Sequence, residues 1–98
     1  MTDTKLIQSK IAPLKKLLSQ LDKTIKDKKT RDYLLLPASQ KLRDVEAFLL
    51  PNVLKASNPK SASMWLEIAE FELHQAEERL NYAQKMVSTY GPDLLAIG

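Results

Sequence analysis

Between residues 66 and 90 the apolar positions recur at alternating steps of three and four. They are Leu66, Ala69, Leu73, Ala76, Leu80, Ala83, Val87 and Tyr90. That spacing lays side chains along one stripe of a helix and forms a heptad seam. Alanine occupies one seam position in three consecutive repeats, and small residues there let two helix axes approach closely. Asn58-Pro59 marks the start of this helix, because Asn caps well and Pro is pre-set for the first helical position. Tyr90-Gly91-Pro92 marks its end, since Gly suits the left-handed cap and Pro cannot continue the helix. The expected span is about 59–90.

The same period appears twice upstream. Ile7, Ile11, Leu14, Leu18, Leu21 and Ile25 predict a first helix over about 4–28, with Leu6 and Leu17 widening its stripe. The seam stays in phase across Pro13, which predicts one kinked helix. Leu35, Ala38, Leu42, Val45 and Leu49, with Phe48 beside them, predict a second helix over about 32–56. Thr30 or Asp32 is its expected cap, and Pro37 and Pro51 are its expected kinks. Residues 92–98 form an apolar tail too short to be a stable element alone. It is expected to fold back on the bundle or to serve as a docking peptide.

Ninety-eight residues amount to one domain. The predicted fold is all-α: an antiparallel three-helix bundle with a long C-terminal helix. Two glycines and six aromatic residues among 98 agree with it, being few for a turn-rich β fold. The absence of cysteine removes disulfides, cysteine-ligated zinc and thiol catalysis. The polar opening Met-Thr-Asp-Thr-Lys lacks the apolar core of a secretory signal, and no apolar run approaches the ~18 residues of a membrane span. The expectation is a cytoplasmic protein.

Charge is distributed unevenly. Residues 1–31 hold eight Lys and one Arg against three Asp, while residues 61–98 hold one Arg and one Lys against five Glu and one Asp. Such a dipole is expected to be two helices attracting each other inside the fold or across a homodimer. The sharper alternative is a basic face for nucleic acid or an anionic membrane, carried by Lys10, Lys15, Lys16, Lys23, Lys26, Lys28 and Lys29. Against it, no aromatic residues interleave with the lysines for base stacking.

Candidate chemistry is sparse. His74 is the only histidine, and Glu70 and Glu77 share its helix face, but the first two helices supply no second histidine for a metal site. A phosphate-cradling glycine loop and a glycine-flanked nucleophilic serine are also missing. Tyr33, Tyr82 and Tyr90 suit the bundle edge. The expectation is therefore no enzyme, no metal and no cofactor.

One cluster stands apart. Met64, Trp65, Ile68 and Phe71 crowd the first turns of the third helix, and Gln75 and Tyr82 continue that side. A helix touching two neighbours needs two apolar stripes, which accounts for most of the cluster. The remaining reading is a protein interface, because Trp, Phe and Met anchor such contacts. The sequence thus nominates Met64, Trp65, Ile68, Phe71, Leu94, Leu95 and Ile97 as partner-binding residues of a small adaptor, chaperone-like or regulatory subunit.

Overall fold

In the computed structural model, which describes residues 4–93, the chain is a helical bundle with no strand among the described residues. Helix α1 spans Thr4–Thr24 and α2 spans Lys28–Asp44. A single π turn, Val45–Leu49, leads directly into α3, Leu50–Lys55, so residues 28–55 form one unbroken helical stretch. Helix α4, Pro59–Tyr90, is the longest at 32 residues.

The three apolar seams meet in one core. Ile7, Ile11, Leu14, Leu21 and Ile25 come from α1 and the turn after it, and Leu34, Leu35, Ala38 and Leu42 from α2. Val45 and Leu49 come from the π turn, and Leu73 and Leu80 from α4. Ala38, Ala69, Ala76 and Ala83 are wholly shielded from solvent. The alanine repeat is therefore the line along which α4 lies against its neighbours. Trp65, Leu66 and Val87 border this core partly buried, whereas Tyr90 at the end of the seam is exposed.

Two boundaries differ from the expected ones. The first helix stops at Thr24, not near 28, and the second starts at Lys28, not at Asp32. Asp27 accounts for the earlier start of α2. Its backbone is extended, and its carboxylate accepts from the Thr30 N–H at 2.9 Å and from the Thr30 hydroxyl at 2.8 Å. Thr30, expected as a cap itself, is instead a fully buried residue of the first turn. Arg31 closes the corner by donating to the Ile25 carbonyl at 3.2 Å and lying 3.4 Å from Asp22.

The prolines of the first two helical stretches are accommodated in two ways. Pro13 and Pro37 lie inside α1 and α2, which run through them unbroken. Pro51 sits in the first turn of α3, immediately after the π turn. A proline in a helix removes a donor and crowds the carbonyl four residues back. The π turn answers both demands by widening the turn, and the Leu50 N–H reaches back to the Val45 carbonyl. Leu49 and Leu50 are both buried there, so the wider turn also adds a core residue.

The ends of α4 are capped as the sequence indicates. The Asn58 side chain accepts from the Ser61 N–H at 2.8 Å, and Gly91 takes φ +84° while its N–H bonds the Val87 carbonyl at 2.8 Å. The Pro92 carbonyl then accepts from the Lys26 N–H at 3.2 Å, and Asp93 lies 3.4 Å from the Lys26 ammonium. This fastens the end of α4 to the end of α1. The tail 94–98 lies outside the described residues.

Two outcomes follow. Replacing Ala76 with Leu, which pushes α4 off the core, is expected to cost about 1–3 kcal/mol in urea unfolding, while Ser88→Leu on the exposed face leaves the midpoint nearly unchanged. The hydrogen bonds from the Thr30 N–H and then the Thr30 hydroxyl hold the Asp27 carboxyl below its ordinary value. Stability from a depressed carboxyl is present above its unfolded value of about 3.9 and is lost as pH falls through the folded value. Thermal melts from pH 6 to pH 2 should therefore show the gap between wild type and Asp27→Asn narrowing below about pH 4.

Candidate interaction face

Helix α4 carries a second heptad series besides its core seam. Met64, Ile68, Phe71, Gln75, Glu78 and Tyr82 follow one another at steps of four and three. Neither α1 nor α2 covers this series. Met64 is 49% exposed, Ile68 37%, Phe71 60% and Tyr82 55%, and only Gln75 is half-buried. Met64, Ile68 and Phe71, with Glu67, line an open depression on the surface.

The neighbouring helical stretch supplies walls at both ends of this stripe. Near its start, exposed Phe48 of the π turn meets Trp65 edge-on, with ring centroids 5.8 Å apart and planes at 87°. Trp65 itself is partly buried against the core. Near its end, Tyr33 of α2 and Tyr82 of α4 border a second depression with Gln75, Glu78 and Arg79. Between these ends Lys41 of α2 donates to Glu72 at 2.7 Å and fastens the two helices together. The residues of α2 thus meet those of α4 in reverse order.

The nominated residues therefore separate. Met64, Ile68 and Phe71 come together on one exposed face, and Trp65 turns inward beneath its edge. Leu94, Leu95 and Ile97 lie outside the described residues. Phe48 is the wall residue that sequence reasoning placed only beside the core seam; its one signal was an aromatic ring next to, and not within, the heptad positions.

The nominated lysines do not form one uniform basic face. Lys15 is paired with Glu46 and Lys26 with Asp93. Lys10 borders a shallow depression shared with Glu70, His74 and Glu77 of α4. Lys16, Lys23, Lys28 and Lys29 are exposed, with no ion pair among the described residues. Of these pairs, Lys26–Asp93 joins the basic first segment to the acidic last one, just beyond the ends of α1 and α4.

His74 is exposed, and its nearer partner is Glu78, at 2.6 Å from Nε2; Glu77 lies 4.0 Å from Nδ1. Both glutamates belong to its own helix. Among the described residues no group of three or more His, Asp or Glu is placed to hold a metal ion. No helix of the described residues is long and apolar enough to cross a membrane.

Trp65 reports on this face. Phe48→Ala should remove the ring that covers the indole edge, shifting Trp65 emission to the red and increasing acrylamide quenching while far-ultraviolet circular dichroism stays unchanged. Unaltered emission would mean that Phe48 does not shield Trp65 in solution.

Compared with known protein families, with curated proteins and with solved structures, the chain matches none of them.

Proposed function

We propose that the protein is a non-enzymatic interaction module, a small adaptor or regulatory subunit of the cytoplasm that holds a partner protein on the outer face of α4. The observation that carries this reading is the exposure of Met64, Ile68 and Phe71 side by side on a helix whose other seam, from Ala69 to Ala83, is buried in the core. Large apolar side chains clustered in water are the common anchors of protein contacts. The side chains with chemical potential are otherwise employed. His74 faces glutamates of its own helix, and the buried Thr30 hydroxyl donates to Asp27. A second copy of the chain is the competing occupant of the same face.

A second reading rests on Lys16, Lys23, Lys28 and Lys29, whose ammonium groups remain available to phosphates. It makes the protein a binder of nucleic acid or of an anionic surface.

One pair of measurements decides between them. Wild-type protein and Phe71→Asp, both verified as folded, serve as baits in a lysate of the source organism, with mass spectrometry as the readout. The module reading expects a specific protein retained by wild type and lost with Phe71→Asp, and equal retention by both would count against it. A salt titration of DNA and RNA binding is expected to show no appreciable affinity at low salt. A steep logarithmic salt slope would instead favour the basic-face reading.

A further inference from the structure

Resting on the interaction-module reading, we infer that the partner is an amphipathic helix with Lys or Arg beside its apolar stripe, laid along the second heptad series of α4. Three features specify it.

The first is periodicity. An interface built for a loop or a strand has no need of a 4-3 repeat, whereas Met64, Ile68, Phe71, Gln75, Glu78 and Tyr82 keep one through 18 residue-to-residue rises. That is about 27 Å at ~1.5 Å per residue, the length of a five-turn helix. Apolar residues at this spacing accept the facing side chains of a second helix between them, as helical ligands do in grooves.

The second is the polar interruption. Gln75 sits in mid-series and is half-buried. A half-buried amide in a largely apolar seam, followed one step on by Glu78, favours the register that gives it a polar partner.

The third is charge, which selects the occupant. Over the length of the series, residues 64–82, α4 carries Glu67, Glu70, Glu72, Glu77 and Glu78 against Arg79. Glu72 is paired with Lys41, and Glu77 and Glu78 lie beside His74. Glu67 and Glu70 have no ion pair among the described residues; Glu70 borders the depression it shares with Lys10 of α1, and Glu67 borders the same depression as Met64, Ile68 and Phe71. A second copy docked on this stretch would bring together two segments that each carry five Glu against one Arg. A helix with basic residues beside its stripe supplies that complement, which aids encounter and discriminates against acidic partners.

The test uses the full chain and three fluorescein-labelled peptides of about 21 residues, read by anisotropy. The first has a Leu/Ile heptad stripe with Lys and Arg flanks. The second has the same stripe with Glu flanks. The third has the composition of the first with the stripe scrambled. The expected result is saturable binding of the first peptide, weakened at least tenfold by Glu flanks, by scrambling and by Phe71→Asp in the protein. Its affinity should also fall as salt rises. Equal binding of the scrambled peptide would overturn the helical occupant, and equal binding of the Glu-flanked peptide would overturn the basic one. Sedimentation showing a dimer of wild type that Phe71→Asp dissociates would assign the face to a second copy and overturn the inference. If no peptide binds while the lysate bait still retains a protein through Phe71, the inference fails and the module reading stands. If the bait retention also ignores Phe71, both fail.

Discussion

The close approach of α4 to its neighbours along Ala69, Ala76 and Ala83 is the constraint on which the rest of the structure depends. All three are wholly shielded, as is Ala38 of α2. A methyl side chain contributes little apolar area, so the stability of this line comes from what it permits. With the helix axes drawn together, the larger side chains alternating with the alanines, Leu73 and Leu80, reach the leucines and isoleucines of α1 and α2. An added methylene group at such a position has no void to occupy. The same closeness brings Lys41 within 2.7 Å of Glu72 and the Phe48 ring against Trp65.

Helix corners and interruptions are set by polar and proline chemistry at a few positions. Asp27 organises the first corner by accepting two hydrogen bonds from the buried Thr30, one from its N–H and one from its hydroxyl. Pro51 is absorbed by the π turn before it, which keeps residues 28–55 continuous from the corner at Asp27 to Ala56. Because that stretch is continuous, Tyr33 near one end and Phe48 in the π turn both stand beside the outer series of α4.

Much of this was legible in the periodicity, and the misses have physical causes. The core seams of all three helical stretches could be read because a 4-3 apolar repeat has few alternatives to a helix face. The start of α2 could not, since Lys28-Lys29-Thr30-Arg31 has no apolar member and its helicity depends on a buried threonine that hydropathy does not count as core. The π turn left no mark either, because Leu42, Val45 and Leu49 keep their steps of three and four through it. The exposure of Met64, Ile68 and Phe71 lay beyond the pattern for a different reason. A stripe that contacts a second neighbour in the bundle and a stripe that contacts a partner have the same period. Only the placement of α1 and α2 against the alanine side of α4 separates them.

That placement gives the two series of α4 different character. The inner one alternates leucine with alanine, and its small residues suit a permanent, close neighbour. The outer one uses Met, Ile, Phe and Tyr, which are larger, with a half-buried Gln75 and an exposed Glu78. Bulky side chains hold a facing helix at a wider spacing, and methionine adapts its shape to more than one surface. The glutamates beside the outer series add a repulsion that acts between copies of the chain and is absent toward a basic helix. Without those charges the exposed Met64-Ile68-Phe71 cluster would be as ready to meet itself as to meet a partner. The acidic flank and the apolar stripe are therefore best understood together: the stripe supplies attraction for a helix, and the flank restricts which helix can approach.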